Sequence, residues 1–166
     1  MIDKSSVVLL QGALGVEFFE QLKKFNPRET FVMEGRPSLE AARVNCRELL
    51  KHKITPTLIS DNMAGFLFFK NLVKEAWAAY QVSDTDGAVC DIGALIVGIL
   101  GKRHNIPVYL FPSNRNVGAG SKPALQFLGK EKDLIKFQNK KIAPKGIRAY
   151  VPLVEWLPNK YITKIL

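Results

Sequence analysis

Short apolar runs alternate with amphipathic stretches along most of the chain. Ser5-Ser-Val-Val-Leu-Leu-Gln11 is a β-branched and aliphatic run ending at Gly12-Ala-Leu-Gly15, as expected of a buried parallel strand leaving into a turn. Val16, Phe18, Phe19 and Leu22 then recur at helical spacing among Glu17, Glu20, Lys23 and Lys24, and Asn26-Pro27 stops the pattern. Thr30-Phe-Val-Met33 reads as a second strand, with Pro37 opening a helix that carries Leu39, Ala42, Val44, Cys46, Leu49 and Leu50 and ends near His52-Lys53. Pro56 to Ser60 makes a third strand, Asp61 or Asn62 caps the helix Met63 to Leu72, and Ala76 to Gln81 makes a fourth strand. Ser83 to Gly87 reads as a loop, Ile92 to Lys102 as an apolar helix, Pro107 to Phe111 as a fifth strand, and Pro112 to Pro123 as a long surface loop. Strands alternating with helices predict one α/β domain over residues 1–166, three layers with a mainly parallel central sheet covered on both faces. Ligands of such sheets bind beyond the carboxyl ends of the strands: here 11–15, 34–37, 60–62, 81–87 and 111–116.

Composition narrows the class. The chain has 166 residues, 47% apolar and 23% charged, which suits a globular domain and excludes a disordered tail or a disulfide scaffold. Cys46, Cys90, His52 and His104 form no metal-ligand spacing, so no metal is expected. The apolar stretch Ala88 to Leu100 is too short to span a membrane and the N-terminus lacks a signal-peptide core, so a cytoplasmic protein without membrane attachment is expected. The net charge of +9 is uneven: Lys122 to Leu166 holds 10 basic and 3 acidic residues, a net of +7. Such a segment attracts nucleic acid, phosphorylated ligands or an acidic partner, or forms a solvated lysine face.

Local motifs exclude more than they assign. Gly12 and Gly15 alone do not make the three-glycine dinucleotide fingerprint, and Gly118-Ala-Gly-Ser-Lys122 lacks the spacing of a phosphate loop, so no cofactor is expected. His52 ends a helix and His104 precedes a strand; both read as surface residues. Cys90 lies near a helix start beside a cleft-facing loop, where a lowered thiol pKa competes with the alternative of a buried apolar cysteine.

Four ordered segments carry a family resemblance. Thr30-Phe-Val-Met-Glu34-Gly-Arg36-Pro37-Ser-Leu-Glu40-Ala-Ala-Arg43, Ile54-Thr-Pro-Thr-Leu-Ile-Ser-Asp61-Asn62-Met-Ala-Gly65, Ile106-Pro-Val-Tyr-Leu-Phe-Pro112 and Lys141-Ile-Ala-Pro144-Lys-Gly146-Ile-Arg-Ala-Tyr150-Val-Pro152 resemble elements shared by three groups. These are the methylthioribose-1-phosphate isomerases, the ribose-1,5-bisphosphate isomerases and the regulatory subunits of eukaryotic translation initiation factor 2B. The resemblance implies a Rossmann-like sheet, a C-terminal dimer face and, in the enzymes, conversion of a phosphorylated aldose to a ketose. It places ligand-facing positions at Gly12, Gly15, Arg36, Glu40 and Arg43, and at Asp61, Asn62, Gln81, Cys90 and Asp91. At the positions matching the isomerases' catalytic cysteine and aspartate stand Leu9 and Gln81, and their asparagine–lysine pair is replaced by Cys90-Asp91.

Proton transfer between adjacent sugar carbons needs groups that gain and lose a proton, which leucine and glutamine do not. The expectation is therefore a non-catalytic or regulatory domain binding a phosphorylated small molecule or a protein partner on Arg36, Arg43 and a helix N-terminus. The alternatives are an aldose–ketose isomerase rebuilt on Asp84, Asp86, Cys90 or Asp91, and a nucleic-acid binder using the basic C-terminal segment. The apolar stretch Ile147 to Pro158 leads to the further expectation of a homodimer, or of a complex with a longer relative whose additional helical domain completes the cleft.

Overall fold

Successive residues of the first strand, β1 (Val7–Gln11), enter different hydrophobic layers. Leu10 packs with Val8 against α1 (Val16–Phe25) and α2 (Glu40–Lys51), through Phe18, Phe19, Leu22 and Leu49. Leu9 faces the opposite layer, where α3 (Ala64–Phe69) and α4 (Ala94–His104) bury Leu67, Phe68 and Val97. Both leucines are fully buried, so a strand read as one apolar run serves two cores at once. The computed structural model describes residues 6–114, 128–137 and 140–166.

Four further strands complete the body of the sheet: β2 (Glu29–Met33), β3 (Thr57–Ile59), β4 (Glu75–Ser83) and, after the hairpin strand β5 (Gly87–Asp91), β6 (Val108–Pro112). The basic segment supplies a short α5 (Glu131–Ile135) and a small hairpin of β7 (Lys136–Phe137) and β8 (Lys140–Lys141). It then returns to the main sheet as β9 (Val154–Pro158) and β10 (Lys164–Ile165). The parallel order is β10-β6-β4-β1-β2-β3; β5 pairs antiparallel with β4, and β9 pairs antiparallel with β5. The three-layer α/β fold with a mainly parallel sheet is therefore present, helices covering both of its faces.

Several local expectations are corrected. Gly87 does not end a loop but begins a strand, and the helix near Cys90 starts at Ala94 rather than Ile92: Gly87 to Asp91 is a buried strand paired with β4, and the turn before it forms because Asp84 Oδ1 accepts from the amides of Asp86 (2.8 Å) and Gly87 (3.2 Å). The short apolar run Ala88-Val-Cys90 next to a helical stretch carries no periodicity that separates strand from helix. Pro37 does not open a helix, because Leu39 adopts a left-handed φ of 57° and α2 starts only at Glu40. The buried face of α2 is Ala41, Asn45 and Leu49, while Leu50 is exposed. Neither Asp61 nor Asn62 caps α3; a 3-10 turn over Asp61–Met63 intervenes, and Asn62 Oδ1 accepts from the Ser60 hydroxyl. In the Ile147 to Pro158 stretch, Val151, Val154 and Leu157 are buried by the chain's own sheet, leaving Ile147 and Tyr150 exposed. Exposed apolar side chains also stand on α3 and α4, at Phe66, Phe69, Ile96 and Ile99. Residues 115–123 of the expected surface loop, with the whole of Gly118 to Lys122, lie outside the described residues. No helix among the described residues is long and apolar enough to cross a membrane.

Candidate functional site

The carboxyl ends of β1, β2, β4 and β5 meet where the topology requires, and there the chain has filled the space with its own groups. Asp91, at the end of β5, is only 7% exposed and accepts from the Ala13 amide (Oδ2, 2.9 Å) and from Gln81 Nε2 (Oδ1, 3.0 Å). Gln11, at the end of β1, donates through Nε2 to the carbonyls of Asp91 (3.1 Å) and Ile92 (2.9 Å). Asn45 reaches across from α2 to hold the same turn, accepting from the Leu14 amide at 3.2 Å and donating to the Gly12 carbonyl at 2.8 Å. Gly15 donates its amide to the Pro112 carbonyl at 2.8 Å. The three amides after Gly12 are thus all engaged internally, whereas a phosphate cradle needs them free.

The glycines allow this closure. Gly12 has a φ of 72°, and a Cβ there would lie 2.8 Å from the Ala79 Cβ and 3.0 Å from Asp91 Oδ2. A Cβ on Gly15 would lie 2.9 Å from the Pro112 carbonyl oxygen. What remains open is an inner pocket of about 10 Å³, lined by Gln11, Gly12, Asp91, Leu153 and the Gly35 to Ser38 turn. That volume holds one water-sized group.

A second, larger space of about 950 Å³ opens outward from the same turn, sharing Arg36, Pro37 and Ser38 with the inner pocket. Its charged lining is Arg36, Arg43, Lys132 and Lys136 against Glu34 and Asp133. Arg36 stacks its guanidinium over Phe137 with 5.3 Å to the ring centroid, and Arg43 donates to the Ser38 carbonyl at 3.3 Å. The volume is that of a small-molecule site, and the excess of cations suits an anion. Arg36 and Arg43 come from the β2–α2 region, and Lys132 and Lys136 from the basic segment about 90 residues later. Sequence distance hid that these two anion-attracting regions form one surface.

The remaining candidates serve other ends. Asp61 accepts from the amides of Gly35 (2.9 Å) and Arg36 (2.7 Å), so it shapes the turn that presents Arg36. Glu40 occupies the first turn of α2, its amide bonded to the Ser38 hydroxyl at 3.3 Å. Asn62 is exposed and lines neither space. Cys90 is fully buried in a cluster with Ala78, Ala94, Leu110 and Leu157; burial pushes its thiol well up, and the Asp91 and Glu155 charges add to this. The alternative of a buried apolar cysteine holds, and a reactive thiolate does not. Asp84 is used in the β4–β5 turn.

Two residues escaped the sequence reading. Asn45 looked like one polar position among apolar ones on α2, and its helical spacing to Ala41 and Leu49 was the available signal. Glu155, on β9, accepts from the amides of Gly93 (2.7 Å) and Leu95 (2.8 Å), capping α4 from 60 residues away. Burial raises its carboxyl pKa against the lowering effect of those amides. No local pattern announces a cap supplied by a distant strand. Among the described residues no cluster of His, Cys, Asp and Glu suited to a metal occurs.

The chain is similar to known proteins over most of its length. A methylthioribose-1-phosphate isomerase of Chloroflexus aurantiacus is 31% identical over 144 residues, 84% of this chain and 42% of that protein. The enzyme of the same name from Carboxydothermus hydrogenoformans is 32% identical over the same shares. The chain thus spans less than half the length of these curated relatives. Among solved structures, translation initiation factor eIF-2B subunit delta from A. fulgidus superposes with a TM-score of 0.82 at 23% identity, covering 99% of this chain and 52% of that one. The 5-methylthioribose 1-phosphate isomerase of Pyrococcus horikoshii gives 0.78 at 18% identity, covering 99% and 50%. Residues 13–166 match the Initiation factor 2 subunit family, and the chain belongs to it.

Proposed function

We propose that this member of the initiation factor 2 subunit family is a non-catalytic binding domain that takes a phosphorylated small molecule in the cationic outer cleft. The observation that carries the reading is the replacement and closure of the strand-end site. Leu9 is fully buried inside the sheet, Gln81 is bonded to Asp91, and the inner pocket of about 10 Å³ has no room for a sugar ring. The phosphate would rest on Arg36 and Arg43, with Lys132 and Lys136 closing the far side.

A second reading, aldose–ketose isomerisation of a phosphorylated (methylthio)ribose, is the one that the names of the relatives favour over a regulatory role. Its acid or base would be Asp91, the carboxylate nearest the inner pocket, and its missing walls would come from another domain or a partner subunit. Incubation of the pure protein with methylthioribose-1-phosphate and with ribose-1,5-bisphosphate, followed for ketose formation, separates the two. No turnover is expected; a rate of about 1 s⁻¹ or more would overturn the binding-domain reading in favour of the enzyme. In parallel, a thermal-shift screen of sugar phosphates and nucleotides should return a stabilising ligand, worth about 2.7 kcal/mol at 100 times its dissociation constant. Arg36→Ala and Arg43→Ala should each remove that shift. A shift that survives both, or no shift from any phosphorylated compound, rejects the cleft.

A homodimer, or a complex with a longer relative, in the cytoplasm remains part of the proposal, with the exposed face of α3 and α4 as its contact. Nucleic-acid binding is the competing use of the basic segment, and would weaken steeply between roughly 50 and 200 mM salt.

A further inference from the structure

The end of the sheet opposite the cleft is edged with cations. Parallel strands are all entered from one side, and here the residues leading into them are basic at every strand but β1, whose described lead-in is Ser6. In strand order from β10 to β3 they are Lys160, then Lys102 with Arg103, Lys74, Arg28 and Lys53, and all six side chains are exposed. Backbone bonds keep these entries level. The Arg28 amide donates to the Ser6 carbonyl at 2.9 Å, the Lys74 amide to Val7 at 2.8 Å and the Ala76 amide to Pro107 at 3.0 Å. With neighbouring strands about 4.8 Å apart, the row from β10 to β3 is about 24 Å long.

Its charge is not cancelled from within. Among the described residues none of the six pairs with a carboxylate, and the Lys51–Glu48 ion pair at 2.7 Å involves none of them. The acids beside Arg28 and Lys74 are engaged elsewhere: Glu29 accepts from the Thr57 hydroxyl, and Glu75, 4% exposed, accepts from Trp77 Nε1 at 3.1 Å. Cations in a last helical turn offset the helix dipole, which accounts for Lys102 and Arg103 in α4. Arg28 and Lys74 stand outside the helices, at strand starts. Two hollows mark the ends of the row. One, of about 410 Å³, is lined by Lys102, Lys160, Asn105 and Thr163, with the two ammonium groups 5.8 and 5.0 Å from the centroid of the Tyr161 ring. The other, of about 280 Å³, is lined by Arg28, Lys53, Asn26 and Thr55. Cations interleaved with amides and hydroxyls are the groups that hold phosphate and sugar.

We infer that this face binds the phosphate backbone of a nucleic acid, independently of the cleft at the other end of the sheet. A small anion is too short to reach both hollows, whereas one nucleic-acid strand presents about seven phosphates over about 24 Å, at roughly one per 3.4 Å. The surface is also distinct from the basic segment after Ser121, which contributes only Lys160 to it.

Fluorescence anisotropy with a labelled poly-U RNA and a labelled DNA duplex, each of about 20 nucleotides per strand, tests this between roughly 50 and 200 mM salt. At least one probe should bind, with a slope of log affinity against log salt of about −3 to −5, as expected for about four to six neutralised phosphates. Combining Arg28→Ala, Lys74→Ala and Lys102→Ala should weaken binding and make the slope shallower by about 2 to 3, while Arg28→Lys keeps it. Lys132→Ala with Lys136→Ala, and Arg43→Ala, should leave it unchanged. Should the triple variant not fold, each single alanine substitution should remove about 1 from the slope, and undiminished slopes in all three refute the inference. Binding of neither probe at about 50 mM salt overturns it, as does a slope that depends on Lys132 and Lys136 instead of the row. Equal binding of poly-glutamate or of phosphatidylserine vesicles overturns nucleic acid as the occupant. None of these failures touches the cleft, whose test is the ligand-induced thermal shift.

Discussion

Replacing Asn45 isolates how the candidate site is held in shape. The side chain is fully buried and uses both ends of its amide, 2.8 Å to the Gly12 carbonyl and 3.2 Å to the Leu14 amide, so α2 is tied to the turn after β1. Removing it strands one buried donor and one buried acceptor, each costing about 1–3 kcal/mol, for a total of about 2–6 kcal/mol. Two variants separate this cost from ordinary packing. Asn45→Ala leaves a void next to two polar groups, where a water re-satisfies part of the loss and keeps the cost near the lower end of that range. Asn45→Leu fills the void with a side chain of similar size and bars the water. A core ruled by hydrophobic burial would favour leucine by about 1.5–3 kcal/mol for the buried side chain. A core ruled by the two tethers should instead find leucine no better than alanine. In urea, with a slope of about 1–3 kcal/mol/M, a loss of about 3 kcal/mol lowers the unfolding midpoint by roughly 1–3 M. If Asn45→Leu matches or exceeds the wild type in midpoint, the tether argument is wrong.

Two other expectations follow from the site and the helices around it. The Glu155 carboxyl is raised above its usual value of 4.5 by burial, so the folded chain takes up that proton at a higher pH than the unfolded chain does. Its contribution to stability is complete below pH 4.5 and is lost as pH rises through the folded pKa. The stability difference between wild type and Glu155→Gln, from urea melts across this range, should therefore shift in favour of the wild type towards acid, and a difference independent of pH refutes the assignment. Light scattering at micromolar concentration should show a dimer, and Phe69→Lys, altering a residue 69% exposed on α3, should shift it to monomer with the melting temperature little changed. A wild-type monomer would reject self-association through this face.

The sequence determined the layers and the address of the site. Strand runs such as Val7 to Gln11 and the heptad-like spacing of Phe18, Phe19 and Leu22 carry their burial in their own pattern, and an alternation of strands and helices leaves few parallel arrangements open. Those arrangements put Gly12, Arg36 and Gln81 at strand ends, as their positions implied, whereas Asp91 joins them only because β5 pairs with β4. The tertiary structure decided what those ends become. Five residues from Gly87 to Asp91 have no period long enough to distinguish a strand from a helix start, and only pairing with β4 and β9 makes them β5. Whether Asp61 caps its own helix or bonds the Gly35 and Arg36 amides depends on two segments 25 residues apart meeting. The same holds for Asn45 at the Gly12 turn, Glu155 at the head of α4, and the lysines of α5 and β7 facing Arg36 and Arg43 across one cleft. Periodicity is local, because it reflects how neighbouring residues share one face. A hydrogen bond or a charged cleft between distant segments depends on where the completed fold puts them, and no window of the sequence contains both ends.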